Sequence, residues 1–181
     1  MIIDGFLQDF DHVVDSIKGY SPYQNFDGAV YPAISLDVNT SIVSALVNRI
    51  ELAQGFKIKP NYIFFRANED GASEPYQAHT DLNMGQYTCI VYIKGVGGTA
   101  FLKHKQTGME SNDPALIDVW QRDCNNYDAW EVVDYCELKP NRALLYNAEL
   151  MHRGEPVDGH GVGKDARQLL ICFYDKADNE H

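Results

Sequence analysis

Residues 76–93 read YQAHTDLNMGQYTCIVYI: a histidine, one residue, an acid, a short polar stretch, then a run rich in Tyr, Ile and Val. Residues two apart in an extended segment point to the same side, so His79 and Asp81 can aim at a single point. With 6 His and 17 Asp in 181 residues, an accidental His-x-Asp is expected about half the time. The weight of the pair therefore comes from its surroundings.

Those surroundings are strand-like. From residue 57 onward the chain reads KIKPNYIFFRAN, YTCIVYI, GTAFLKH, WEVVDYCEL, RALLYNA and RQLLICFYD, separated by Gly, Asn, Asp and Pro, which suggests a β-sandwich or barrel. KGVGG at 94–98 is expected to be a tight connection between two of these strands, because glycine accepts the positive φ of hairpin turns. It is not a phosphate loop, since no Gly-Lys-Ser/Thr leads into a helix. SNDPALIDVWQRDCNN has a proline near its start and Leu116, Val119 and Trp120 at helical intervals, and is expected to form one helix.

Before residue 57 the pattern differs. IIDGFL followed by DFDHVVDSIKG suggests a short strand and then a short helix with a glycine stop. Residues 19–39 carry Gly, Pro, Asn and aromatics in neither period and are expected to form a long ordered loop, with Tyr23, Phe26, Tyr31 and Pro32 packing over the core or lining a pocket. TSIVSALVNRIELAQG is the strongest helix, capped by Thr40 or Ser41, striped by Ile42, Leu46, Val47, Ile50 and Leu52, and ended by Gly55. The expectation is one domain, with N-terminal helical support over about residues 1–56 and a β core over about residues 57–176.

Composition narrows the function. At 20.4 kDa the chain has the size of one well-buried domain. Formal net charge is −11, from 26 acids against 15 Lys plus Arg spread along the chain, which argues against nucleic acid or an anionic membrane as general partners. No apolar run is long enough to span a bilayer, and MIIDGFLQDF lacks a basic region followed by an apolar core, so a cytoplasmic protein is expected. Cys89, Cys124, Cys136 and Cys172 form no CxxC pair and read as buried free thiols.

Two further residues complete the pattern. His152, in YNAELMHRGEPV, follows the strand RALLY, where a β scaffold holds a ligand rigidly yet within reach. Two imidazoles and one carboxylate on one side of an ion leave its other side open, the arrangement of ferrous oxygenases. Zinc accepts the same ligands, so a three-ligand zinc hydrolase stays open at this point. Arg167 opens RQLLICFYD, a strand apolar on both faces and therefore central. Its guanidinium can fork onto a carboxylate, such as the far carboxylate of a 2-oxoacid diacid. The alternative is a structural salt bridge.

Taken together, His79-Thr-Asp81, His152 and Arg167, in that order on β segments after an N-terminal helix, resemble the Fe(II)/2-oxoglutarate-dependent dioxygenase superfamily over roughly residues 58–175. YQAHTD is similar to the Tyr-x-x-His-x-Asp of prolyl-hydroxylase-like members, with Tyr76 three residues before the first ligand. HTDLNMGQYTCIVYIKGVGGTAFLKHKQTG followed by NRALLYNAELMHRG resembles a family of small bacterial and viral members of unassigned function. The resemblance implies a mainly β fold with flanking helices, the double-stranded β-helix or jelly roll, cupin-like in type. It implies metal ligands His79, Asp81 and His152, the cofactor Fe(II) and the co-substrate 2-oxoglutarate held by Arg167. It also implies O2 and a small-molecule or peptidyl substrate, whose C–H bond is hydroxylated.

One departure stands out. Many relatives carry Ser or Thr two residues after that arginine; here the residue is Leu169, so a second contact to the co-substrate must come from elsewhere, with Tyr62, Tyr76, Tyr87 and Thr88 as candidates. Of the other polar residues, Arg153 is expected to point away from His152 into an ion pair, and His104 to be structural or a substrate contact. Trp120 and Trp130 are expected to pack, while His12, His160 and His181 have no supporting context. The segments 19–39 and 104–128 are expected to rim the site. The competing classes are a cupin-like metal enzyme that does not use 2-oxoglutarate and a non-catalytic jelly-roll binding module.

Overall fold

The structure is a computed structural model that describes residues 1–24, 28–71, 74–156, 158–162 and 165–177; Phe26 and His181 lie outside the described residues. Among the described residues, ten strands are arranged as two antiparallel sheets. The larger has seven strands. These are β1 (Ile2–Ile3), β2 (Ser21–Gln24), β3 (Val30–Ser35), β4 (Ile58–Asn68), β5 (Tyr87–Lys94), β8 (Ala143–Asn147) and β10 (Arg167–Lys176), in the spatial order β1-β8-β5-β10-β4-β3-β2. The smaller consists of β6 (Gly98–His104), β7 (Trp130–Glu137) and β9 (His152–Glu155), in the order β7-β6-β9. This is a double-stranded β-helix, as the resemblance implied.

The period of two in each strand decides what enters the barrel. In β10, Leu170, Cys172 and Tyr174 pack toward the helices, while Leu169, Ile171 and Phe173 pack between the two sheets. β5 divides the same way, with Cys89, Val91 and Ile93 on the helix side and Ile90 and Tyr92 between the sheets. Both strands are buried on both faces, which explains their nearly continuous apolar sequences. Arg167 has the parity of Leu169 and therefore points into the barrel.

Helix α1 (Phe10–Asp15) and helix α2 (Thr40–Gln54) cover the other face of the large sheet. Ile42, Leu46 and Ile50 of α2 lie on one stripe and are buried, whereas Leu52, expected on that stripe, is 73% exposed; ten positions beyond Ile42, it has rotated off the buried face. The cap is Asn39, whose side chain accepts from the Ser41 N–H at 2.9 Å, in place of Thr40 or Ser41. Gly55 ends the helix in the left-handed conformation at φ 74°.

Two other expectations are corrected. Residues 19–39 contain a strand pair, β2 with β3, and β3 continues onto β4, so the N-terminal part adds strands to the large sheet as well as helices. Tyr and Pro in this segment obscured the alternation, which is read only where one face is uniformly apolar. KGVGG is not a hairpin turn, because β5 pairs with β10 and β8, and β6 with β7 and β9. It carries the chain from one sheet to the other. Its glycines are needed for close approach: a Cβ on Gly95 would lie 2.5 Å from Arg167 Cα, and one on Gly97 would lie 1.9 Å from the Glu155 carbonyl.

Residues 114–116 form a single 3-10 turn leading into helix α3 (Ile117–Asp123), so the helix expected in that insertion is present. All four cysteines are free and buried. No helix among the described residues is long and apolar enough to cross a membrane.

Candidate metal centre and its two cavities

His79 lies just before β5 and makes a paired backbone bridge with His152 at the start of β9, each N–H donating to the other's carbonyl at 3.0 Å. This bridge adds residue 79 to the edge of the small sheet and sets the two imidazoles side by side, with ring centroids 4.5 Å apart. Asp81 is fixed by its backbone N–H, which donates to the Ala148 carbonyl at 2.8 Å. The ligand atoms of His79, Asp81 and His152 all lie within 4.8 Å of one another.

The imidazoles are oriented by the backbone. His79 Nδ1 lies 3.0 Å from the Gln77 carbonyl and His152 Nδ1 lies 2.9 Å from the Leu150 carbonyl. A carbonyl only accepts, so each Nδ1 carries the proton and each Nε2 is presented to the centre. His79 Nε2 is 3.7 Å from Asp81 Oδ1, and His152 Nε2 is 3.3 Å from Asp81 Oδ2.

Two hydroxyls hold the carboxylate: Thr88 Oγ1 donates to Asp81 Oδ2 at 3.0 Å and Tyr146 OH donates to the same oxygen at 2.9 Å. The Tyr146 hydroxyl is also 3.1 Å from His152 Nε2. Burial opposes the charge on Asp81, but His152, His79 and the Tyr146 hydrogen bond outweigh it and hold the carboxyl well below its usual range. Burial likewise opposes charge on His152, yet Asp81 more than compensates and raises its pKa. At His79 burial and the neighbouring His152 together lower it.

Two cavities meet at this cluster, and both are lined by Arg66, Tyr76, His79, Asp81 and Phe173. The inner one, of about 330 Å³, reaches Asn68, Thr88, Tyr146, His152 and Arg167. The outer one, of about 390 Å³, is walled largely by aromatic and aliphatic side chains.

Arg167 is 3% exposed. Its Nη1 donates to Asn68 Oδ1 at 2.8 Å and its Nη2 to the Gly98 carbonyl at 2.8 Å, while its Nε has no partner among the described residues. Every acceptor it meets there is neutral. Glu74 stops one residue short, bonded to Arg66 and accepting from the Asn68 amide at 2.8 Å. Burial accordingly lowers the Arg167 pKa. A Cβ on Gly154 would come within 2.8 Å of Nη1, so glycine keeps that side of the guanidinium open.

The other expected contacts separate. Tyr76 lines both cavities. Tyr62 is 45% exposed on the outer cavity and does not line the Arg167 cavity. Its β4 position pairs with Phe173, whereas Arg167 pairs with Asn68, and six residues of strand are roughly 20 Å. Tyr87 has helix-side parity and stacks on Tyr174 with centroids 5.5 Å apart. Thr88 reaches Asp81. His104 is structural, with Nε2 3.0 Å from Asp123 Oδ2 and Nδ1 2.9 Å from Thr107 Oγ1.

Arg153 pairs with Glu155 at 2.7 Å as expected, but the pair is buried on its arginine side and stacked 3.8 Å over Tyr127. Trp130 packs in the core, and Trp120 both packs and walls the outer cavity, its indole N–H donating to the Ala78 carbonyl at 2.9 Å. His160 is buried and lines the inner cavity. Asn68, Arg66 and Tyr146 were not singled out from the sequence. Strand parity was the available signal: each shares the inward parity of an apolar barrel residue on its own strand, Phe64 on β4 and Leu144 on β8.

The fold and this cluster define a double-stranded β-helix with a His-x-Asp…His centre. Residues 1–127 match the family of unknown function DUF6445, and the chain belongs to it. That span includes His79 and Asp81. No curated protein matches the chain.

Among solved structures, the chain resembles HygX from Streptomyces hygroscopicus with nickel and 2-oxoglutarate bound, at 12% identity and a TM-score of 0.62, covering 96% of this chain and 81% of HygX. It also resembles the non-heme alpha ketoglutarate dependent epimerase SnoN from nogalamycin biosynthesis, at 14% identity and a TM-score of 0.62, covering 98% of this chain and 78% of SnoN. The corresponding carbocyclase SnoK gives 14% identity and a TM-score of 0.53, covering 93% of this chain and 72% of SnoK. At these identities the likeness establishes the shared fold.

Proposed function

We propose that this chain, working as one domain, is an Fe(II)- and 2-oxoglutarate-dependent oxygenase that hydroxylates a C–H bond of a small-molecule, amino-acid or peptidyl substrate. The observation that carries the reading is Arg167: a buried guanidinium without an acidic partner among the described residues, facing a cavity that ends at two imidazoles and a carboxylate. Burying a charge without an opposite charge is costly, so the arrangement fits a site whose counter-charge arrives with an anionic ligand. The donor set fits ferrous iron, since two nitrogens and one oxygen on one side leave room for a chelating 2-oxoacid.

In this reading His79, Asp81 and His152 hold the metal, and Arg167 holds the distal carboxylate of 2-oxoglutarate, with Tyr76 beside both cavities. When bound, the iron and 2-oxoglutarate would supply the oxidising power, drawn from O2 with release of succinate and CO2. The chain supplies position and environment. Gln77 and Leu150 carbonyls fix the imidazole tautomers, Thr88 and Tyr146 keep Asp81 ionised and turned to the centre, and the barrel walls limit water.

The test is an anaerobic Fe(II) titration with and without 2-oxoglutarate, following the visible charge-transfer band of a chelated 2-oxoacid. The band is expected in the wild type, weakened in Arg167→Ala and absent in His152→Ala. Metal binding without a band would move a cupin-like or zinc enzyme ahead, and no metal binding would leave a binding module.

A further inference from the structure

The outer cavity differs from what a free amino acid or a phosphorylated metabolite requires. Its wall is built from Tyr23 and Tyr31 of the β2–β3 pair, Phe64 of β4, Phe173 of β10 and Ile117 and Trp120 of α3, with Met84, Met109 and Met151 filling between them. Aromatic faces and thioethers recognise rings and apolar surface without demanding a fixed hydrogen-bond pattern. The volume, about 390 Å³, lies in the usual range for a small organic ligand.

Charge sharpens the selection. The cationic lining residue with a fixed charge is Arg66, and it is taken: its guanidinium is bonded to Glu74 and lies 5.1 Å over the Tyr31 ring. The acids are Asp81, which faces the metal centre, and Asp113 at the rim, one of whose oxygens accepts from the Ala115 N–H at 2.9 Å. The remaining polar contacts come from neutral groups such as Thr80, Asn83 and Asn112. A carboxylate or phosphate entering here loses water and meets, among the described lining residues, no arginine or lysine that lacks a counter-charge, while the chain as a whole carries −11.

We infer that the outer cavity binds an uncharged or cationic, largely apolar, ring-bearing small molecule and discriminates against carboxylates, free amino acids included, and against phosphates. That this molecule is the one oxidised rests on the oxygenase reading; the binding preference does not. The segments 19–39 and 104–128 both contribute to the wall, so they set the selection while the barrel holds the metal centre.

The preference is tested by calorimetric titration of the metal-free protein with three matched probes: 2-naphthylmethanol, 2-naphthylmethylamine and 2-naphthoate. The alcohol and the amine are expected to bind at least about tenfold more tightly than the acid. Ile117→Arg, at a half-exposed wall position, made together with Asp113→Asn so that no carboxylate stands four residues before it, adds a guanidinium to the cavity. It should tighten naphthoate and weaken the amine, which locates the binding. Asp113→Asn alone keeps the cap and should tighten naphthoate several-fold with little change for the alcohol.

Naphthoate binding as tightly as the alcohol, no binding by any probe, or an order unmoved by Ile117→Arg with Asp113→Asn each overturns the inference. The charge-transfer titration separates the two readings. Probe selectivity retained in a protein that forms no 2-oxoglutarate band refutes the oxygenase alone, and a band with the probe order reversed refutes the substrate class alone.

Discussion

The two cavities meet at the His79-Asp81-His152 cluster and are built from opposite chemistry. The inner one reaches Asn68, Thr88, Tyr146, His152 and Arg167, all from barrel strands, and the Arg167 guanidinium lacks a counter-charge among the described residues. The outer one is lined by rings and thioethers, from the added β2–β3 pair and the α3 insertion together with Phe64, Phe173, Met84 and Met151, and the Arg66 guanidinium, which both cavities share, already has a counter-charge in Glu74. Two arginines on adjacent strands thus play different parts. Arg167 is left hungry for an anion, whereas Arg66 is satisfied within the fold. The lesson is that a buried cation marks a ligand site by what it lacks, not by its presence.

The most severe way to break this comparison is at the junction. Alanine at His79, Asp81 or His152 removes a ligand shared by everything on both sides, and coupled turnover should fall below detection; a variant with full turnover sinks the metal assignment.

Next comes the inner cavity. Arg167→Ala should raise the KM for 2-oxoglutarate by on the order of a hundredfold, the size expected for truncating one partner of a buried charge pair. Binding of the naphthyl alcohol should stay unchanged. In the wild type, metal with 2-oxoglutarate at about 100 times its Kd should stabilise by about 2.7 kcal/mol, a Tm rise of several degrees that Arg167→Ala forfeits.

Tyr146→Phe tests the support of the centre. Losing the hydroxyl that holds Asp81 should weaken Fe(II) binding by about 10–100-fold, measured by competition with a chelator, while the 2-oxoglutarate band keeps its position once metal is saturating.

The pH dependence has a definite sign. Asp81 raises the pKa of His152 above the usual imidazole value against the opposing effect of burial, so the metal-free protein keeps that proton as pH rises. Metal must displace it. Affinity is therefore full above the raised pKa and falls by about tenfold per pH unit below it, one proton being exchanged. Affinity independent of pH across the imidazole range contradicts this.

The smallest effect is expected at the outer rim. Tyr62→Ala should leave 2-oxoglutarate binding unchanged and weaken the naphthyl alcohol only a few-fold, because Tyr62 is half exposed and remote from Arg167. A large loss of 2-oxoglutarate affinity would return Tyr62 to the inner cavity.

Much of this was open to reading from local pattern. The β segments from residue 57, α2 with its Gly55 stop and the buried free cysteines follow from periodicity, turn chemistry and residue type, all of which act over a few residues. The jelly roll came from the family resemblance, and the structure brings His79, Asp81 and His152 together with Arg167 on one cavity. The β2–β3 pair escaped because β2 is short and exposed and β3 carries apolar residues on both faces, Val30, Pro32 and Ile34 on one and Tyr31 and Ala33 on the other, so neither shows an alternation. Trp120 escaped as a cavity wall because packing in a core and lining a pocket demand the same side chain.

What the sequence by itself determined is the inventory: which side chains face into the barrel, by the parity of β4, β5, β8 and β10, and which donor atoms are on hand. Only the tertiary structure decided the pairings. That Glu74 neutralises Arg66 and not Arg167, that Tyr62 lies six residues along β4 from the position paired with Arg167, and that KGVGG crosses between sheets depend on register between strands far apart in the chain. Register is fixed by long-range hydrogen bonds and packing, and a one-dimensional pattern carries the facing of each strand but not its alignment with a neighbour.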